Sequence, residues 1–215
     1  MPNNIQSQLS NIVSGHSRLH LDVPAEDGTK IGELRALTMA HLDDDVIIEK
    51  ITDWRNKNMG NFLTHFVATP ERTKNWLRNL VFKAQGQLLF LVCVDDQIVG
   101  HLGFKNLTCD DALLDNTIRG ERAGHPKLFV MAGKVLNEWL FREAGVKSIY
   151  GYVMTKNVTA VMMNKQIGFG GWMRYPLLKK SKGTEAHWEM GAEGDASPDD
   201  TYCYKIVITK AGAIL

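Results

Sequence analysis

The stretch from residue 87 to 104, QLLFLVCV-DD-QIVGHLGF, constrains the fold more than any other part of the chain. Two β-prone runs flank Asp95-Asp96, residue types that tolerate the backbone of a tight turn, so the segment reads as a β-hairpin. Its first strand is apolar at every position from Leu88 to Val94, whereas a strand with one wet face would alternate. Such a strand must be buried on both sides, which requires a layer of structure over each face of its sheet. This run is also the longest uninterrupted apolar segment, and it is far too short to cross a bilayer.

The rest of the chain supplies those layers. Asp43-Asp44-Asp45 offers a capping carboxylate and negative first-turn charge to a helix bearing Ile47, Ile51 and Trp54 on one face. Thr69-Pro70-Glu71 is a second helix start, followed by the stripe Trp76, Leu77, Leu80, Val81 and Ala84. Pro126 to Ala144 predicts the strongest helix, with Leu128, Met131, Ala132, Val135, Leu136, Trp139 and Leu140 at helical spacing and Gly145 as terminator. Val158–Ile167 is a further helix, ending at Gly168. Strands are expected at 33–38, 112–119, 148–154, 171–178 and 202–209, with a weak edge strand over 18–23. Residues 1–17 read as a flexible polar arm, and 179–200 as a polar insert forming a mobile loop within a single domain spanning 18–215.

Composition narrows the partners. The 215 residues carry a formal net charge of +1, so no global field favours nucleic acid or an anionic membrane. Neither partner is expected. The three cysteines, Cys93, Cys109 and Cys203, are too scattered for a disulfide framework or a zinc site. His16 and His20 have i,i+4 spacing without an acidic helix motif, so no metal is expected. MPNNIQSQLSNIV lacks a basic region followed by an apolar stretch, so a cytoplasmic location is expected. GxSxG, the P-loop and GxGxxG are all missing, which argues against a serine hydrolase, a nucleotide triphosphatase and a dinucleotide-binding fold.

The informative stretch is IRGERAGHPKLF, residues 118–129. A strand runs into a loop rich in Gly and Arg, and a helix then opens. A helix N-terminus offers free N–H groups and the positive end of its dipole, which suits a phosphate, and Arg119, Arg122 and Lys127 add charge around it. On its own such a loop is ordinarily a solvated connection. Context changes the reading, because a strand follows and then KNVTAVMMNKQIGF, residues 156–169.

Here the sequence resembles the Gcn5-related N-acetyltransferase (GNAT) superfamily. In that family a loop of pattern Arg/Gln-x-x-Gly-x-Gly/Ala wraps the CoA pyrophosphate. Arg119-Gly120-Glu121-Arg122-Ala123-Gly124 matches at its first and last positions and departs at Arg122, which stands where the pattern has glycine. Asn157, Ala160, Gly168 and Phe169 match the second family element, an asparagine, then alanine three residues on, then Gly-Phe. The resemblance spans roughly residues 33–178. TDWRNKNMGNFLTHFVATPERTKNWL, GHLGF and LDNTIRGE look like the branch that acetylates amino sugars, which is close to the enzymes that acetylate ribosomal-protein N-termini. The resemblance implies an α+β fold of the GNAT type: a central mixed, mostly antiparallel twisted sheet of about six to seven strands flanked by four helices. It also implies acetyl-CoA as co-substrate and a small-molecule amine, a nucleotide-linked amino sugar, as acceptor. A homodimer through the C-terminal strands is left open.

Roles follow residue by residue. A thioester is attacked only by a neutral amine, so a base must take a proton; His101 and Asp115 are the candidates. Family likeness places the carbonyl-stabilising backbone donor near Thr117, Ile118 and Arg119. It places the cofactor on Arg122, Ala123, Gly124, His125, Lys127 and Asn157 as well. Asn164 stands where the family often carries a thiolate-protonating tyrosine, with Tyr150 or Tyr152 as substitutes. Trp54, Arg55 and Asn56 are the acceptor-binding candidates, Arg55 for a phosphate and Trp54 for stacking on a base or sugar.

Overall fold

In the computed structural model, which describes residues 3–210, the hairpin expected over 87–104 forms β4 (Leu88–Val94) and β5 (Gln97–Lys105). They lie in a ten-stranded sheet with β1 (His20–Pro24), β2 (Lys30–Ala36), β3 (Thr64–His65), β6 (Asp111–Arg119), β7 (Ser148–Met154), β8 (Gly170–Lys182), β9 (Glu185–Met190) and β10 (Tyr202–Thr209). The spatial order is β1-β2-β4-β5-β6-β7-β10-β8-β9-β3. Every neighbouring pair is antiparallel except β6 and β7.

β4 is buried on both faces, as its composition demands. Leu88, Phe90 and Val92 face one core, and Leu89, Leu91 and Cys93 face another. The first core is covered by α1 (Asn3–Val13), α4 (Leu128–Trp139) and α5 (Val158–Ile167). The second is covered by α2 (Asp45–Lys57) and α3 (Pro70–Trp76), which continues through a wider π-type turn to Val81. Local chemistry fixes the helix ends. The Asp44 carboxylate accepts from the Ile47 amide at 3.1 Å, and the Thr69 hydroxyl from the Arg72 amide at 3.2 Å. Gly145 and Gly168 close α4 and α5 at φ +72° and +113°. α4 itself starts at Leu128, two residues after the expected Pro126.

The α+β class stands, but the sheet has more strands and the layers one more helix than expected. Two corrections account for this. The arm expected over 1–17 contains α1, whose Ile5, Leu9, Ile12 and Val13 are buried in the first core. Each such side chain contributes roughly 1.5–3 kcal/mol by leaving water, enough to hold a short helix that would fray alone. The insert expected as a mobile loop over 179–200 forms instead the end of β8 and all of β9, a hairpin that pairs onto β3. Only its later part, beyond Met190, is irregular.

Candidate active site

The parallel pair β6–β7 is joined only at its start, through Asp111–Ser148, Ala112–Ile149 and Leu113–Tyr150. Both strands run on past that register, to Arg119 and Met154, without further pairing. A bulge in β6 accompanies the divergence: Asn116 has φ +54°, and the register against β5 shifts between His101 and Gly103. The result is a wedge in the sheet, walled by the second half of β6 and the end of β7.

The loop that follows β6 stands at the mouth of this wedge. Its first two amides, Gly120 and Glu121, both donate to the Val99 carbonyl at 2.9 Å, and the Glu121 carboxylate pairs with Lys50 of α2. The Arg119 guanidinium folds inward, donating to the carbonyls of Pro126 at 3.0 Å, Ala123 at 3.3 Å and Arg122 at 3.4 Å. Arg119 therefore braces the loop, a correction to its expected place as a cation facing a phosphate. Among the described residues, no acceptor is found for the amides of Arg122, Ala123, Gly124 and His125. Gly124 has φ +80°, and a Cβ there would come within 2.8 Å of Val94 Cγ2. No side chain caps α4, so its first turn adds further free donors beside that run. Arg122, His125 and Lys127 are exposed. The Lys127 ammonium is shared with Glu26 at 2.8 Å, and His125 Nδ1 accepts from the Lys127 amide at 3.2 Å. Ala25, Glu26, Asp27, His125, Lys127 and Met131 line a depression of about 300 Å³ there. The 24–29 turn carried no sequence signal for this position.

Two of the three candidate reactive side chains lie beside the bulge in β6. Asp115 lies on β6 beside the bulge, 2.7 Å from Lys105 Nζ, and accepts from Asn116 Nδ2 at 3.0 Å. His101 is 2% exposed, and its Nδ1 lies 2.6 Å from the Asn116 carbonyl oxygen. Burial pushes its pKa down to about 4, so the ring is neutral at physiological pH. Its Nε2 is buried without a partner, and the ring lies 6.2 Å from that of Trp54. Asn164 is the third, and it turns away. It is 8% exposed and donates its amide to the Ala160 carbonyl of its own helix at 2.8 Å. That back-bond makes it a helix brace, which corrects its expected place beside a sulfur. Asn157 caps α5, accepting from the Ala160 amide at 3.1 Å, which explains the asparagine–alanine spacing locally. Thr117 is partly exposed and Ile118 is buried, both in the half of β6 that does not pair with β7.

The acceptor side departs furthest from expectation. Trp54 is 3% exposed and packs flat on Gly120, where a Cβ would fall inside its ring, so it shapes the loop and is not free to stack on substrate. Asn56 is likewise committed, its amide exchanging two hydrogen bonds with the Ala68 backbone at 3.0 and 2.8 Å. Arg55 alone keeps unspent donors. Its Nη2 donates to the Thr64 carbonyl at 2.7 Å and hydroxyl at 3.0 Å, and its guanidinium lies 4.0 Å and 4.9 Å from the rings of Phe62 and Phe66. Its Nη1, however, is buried without a partner. His65 Nε2, next to it, is another buried nitrogen without a partner. Burial first, then the nearby Arg72 charge, lowers the Arg55 pKa; burial first, then Arg55, lowers that of His65.

The β8–β9 hairpin closes this wall. Trp188 donates its amide to the Leu63 carbonyl at 2.8 Å and stacks 4.2 Å from the His65 ring, and Glu185 pairs with Arg72 at 2.6 Å. Leu63, Tyr152, Tyr175 and Trp188 pack on Met154, Leu177 and Cys203 beneath it. His65, Arg72 and the two phenylalanines went unnoticed in the sequence, since nothing in their spacing marks a site.

A concavity of about 540 Å³ lies elsewhere, between α1 and residues 82–87. Among the described residues no group of three His, Cys, Asp or Glu side chains could hold a metal ion. No described helix is long and apolar enough to cross a membrane.

The sequence matches no protein-family model and no curated protein. Solved structures are more informative. A GNAT-family acetyltransferase from Bacillus anthracis superposes with a TM-score of 0.59 at 14% identity, over 89% of this chain and 98% of that one. N-acetyltransferase PseH from Campylobacter jejuni gives 0.52 at 16% identity, over 84% and 99%. The Salmonella typhimurium acetyltransferase that modifies the N-terminal serine of ribosomal protein L7/L12 gives 0.59 at 9% identity, over 89% and 99%. With a wedge between parallel strands, a loop of free amides at its mouth and these superpositions, the chain has the fold of the GNAT acetyltransferases.

Proposed function

We propose that this protein is an acetyl-CoA-dependent N-acetyltransferase whose acceptor is a small-molecule amine, a nucleotide-linked amino sugar being the reading that fits best. The observation that carries the donor half is the run of four unpartnered amides, Arg122 to His125, beside the uncapped start of α4. Backbone donors of this kind hold a diphosphate without requiring a charged side chain. This is why the departure at Arg122 is tolerable and why the inward turn of Arg119 does not count against the reading. The exposed residues Arg122, His125 and Lys127 ring the same loop. The Thr117–Ile118 backbone and the Asn157 end of α5 border the path that the pantetheine arm would take.

In the wedge, the amine nitrogen attacks the thioester carbon, the carbon–sulfur bond breaks and the thiolate leaves. Asp115, directly or through a water, takes the proton that the amine loses; Lys105 and Asn116 hold the carboxylate in place for this. A thiol with a pKa of about 8.5 leaves readily near neutrality, so the committed amide of Asn164 is no obstacle. Tyr150 and Tyr152 on β7 remain the candidates for protonating it. Support for an anionic acceptor comes from Arg55 and His65, whose unpartnered nitrogens sit between aromatic rings on the other wall. PseH and the L7/L12-modifying enzyme share the fold, so a protein N-terminus is the alternative acceptor.

A second reading, a CoA-binding domain without catalysis, is favoured by the back-bonded Asn164. Calorimetry with CoA, followed by free-thiol release from acetyl-CoA, separates the readings. The amines to offer are a uridine-diphosphate-linked amino hexose and a serine-initiated peptide. Thiol release with the nucleotide sugar is expected. Absence of CoA binding would sink the donor assignment, and binding without release to either amine would favour the silent domain.

A further inference from the structure

His101 is buried, makes one hydrogen bond, and lies where β5 meets the bulge in β6. A carbonyl oxygen can only accept, so at 2.6 Å from the Asn116 oxygen the Nδ1 atom carries the proton and Nε2 holds the lone pair. No other protein group touches Nε2 through a hydrogen bond. Trp54 covers the ring on the α2 side, and the charged side chain that acts on it is Asp115. The flanking glycines explain how the ring gets so close. A Cβ at Gly100 would strike the Ile118 carbonyl, and one at Gly103 the Leu88 carbonyl, so glycine at both positions lets β5 and its neighbours approach around the bulge.

The bond has a geometric consequence. A trans peptide holds its C=O and N–H antiparallel, so turning the Asn116 carbonyl toward the imidazole turns the Thr117 N–H away from it. No cis peptide interrupts the chain among the described residues. Asn116 also holds φ +54°, a left-handed value that asparagine adopts more readily than most residues, and the His101 bond engages its carbonyl there. The same Asn116 side chain donates to Asp115. One imidazole thus fixes the residue that links the proposed base to the proposed carbonyl donor.

We propose that His101 is a positioning residue, not a base: its Nδ1–H pins the Asn116 carbonyl and so aims the Thr117 amide into the wedge to receive the thioester carbonyl oxygen. This rests on the acyltransferase reading above, and the test distinguishes the two. An amide aimed at the acetyl oxygen gives acetyl-CoA a contact that CoA lacks, so the wild type binds acetyl-CoA roughly threefold to tenfold more tightly than CoA by calorimetry. His101→Leu removes the donor and erases that preference, while affinity for CoA itself stays within about twofold. His101→Asn retains an N–H near the position of Nδ1, and restores the preference. In thiol-release assays His101→Leu lowers kcat about 10²-fold with the KM for acetyl-CoA little changed, and His101→Asn recovers most of it.

Equal loss in the Leu and Asn variants would overturn the proposal and return Nε2 to the role of base. An unchanged preference in His101→Leu would overturn it as well, as would equal affinity of the wild type for both ligands. Wild type that binds neither ligand brings down the acyltransferase reading and this proposal together. Should His101→Leu fail to fold, ring 15N shifts of the wild type decide. The neutral Nδ1–H form near pH 7 is required, and the Nε2–H form overturns the assignment.

Discussion

Two regions of the proposed site are built by opposite means. The loop over 119–127 offers backbone: four amides lack an acceptor while its side chains brace it from within, Arg119 onto four carbonyls and Glu121 onto Lys50. The wall over 62–66 and 185–190 offers side chains: Arg55, His65 and Trp188, brought together from three places in the chain by strand pairing and one ion pair. Backbone recognition suits a ligand portion that never varies, because it tolerates substitution in the loop. Side-chain recognition suits a portion that differs between relatives, and it changes with a single residue.

Substitutions on each wall, and at the carboxylate between them, test that division. The largest effect is expected between the walls, at Asp115: Asp115→Asn should lower kcat by about 10²- to 10⁴-fold with CoA affinity unchanged in calorimetry. On the backbone wall, Gly124→Val combines an unfavourable positive φ with contact on Val94, and should weaken CoA binding roughly ten- to hundredfold. Loss of acceptor affinity instead would reverse the assignment of the two walls. On the side-chain wall, Arg55→Ala should raise the KM of a nucleotide-linked amine about tenfold and leave CoA binding intact. Arg55→Lys should rescue little, since an ammonium reproduces neither the fork nor the stacking on Phe62 and Phe66.

The pin between them is read through pH. His101 has a folded pKa of about 4 against an ordinary value near 6.5, so the unfolded chain binds the extra proton first. Stability should therefore fall as pH drops from about 6.5 to about 4, His101 contributing at most about 1.4 kcal/mol per pH unit, and the slope should be shallower by that contribution in His101→Asn. Denaturant titrations of both proteins across that range would measure it.

How much of this was written legibly in the sequence depends on whether the information was local. β4 and β5, α2, α4 and α5 follow from periodicity and caps within a few residues, and their bounds agree to within a residue or two. α1 was hidden because Ile5, Leu9, Ile12 and Val13, although at helical spacing, are diluted by polar neighbours that suggested a frayed arm. β9 was hidden because a strand exposed on most positions carries no apolar alternation to detect. The 119–124 loop was legible as a motif, but the inward turn of Arg119 was not, since only tertiary structure decides whether a guanidinium faces a ligand or a carbonyl. The same holds for Trp54, whose place against Gly120 joins residues far apart in the chain, and for Asn164, whose nearest acceptor lies within its own helix.

The position of β10 has a consequence for the order of assembly. This last strand in sequence lies inside the sheet, between β7 and β8, and pairs with both. Until residues 202–209 have been made and have slid into that slot, β8, β9 and β3 have no ladder connecting them to β7. A nascent chain can thus complete the sheet from β1 to β7 first, and must wait for β10 before β8, β9 and β3 are tied on. A protease cut between Met190 and Thr201 should accordingly be far more harmful before folding than after it.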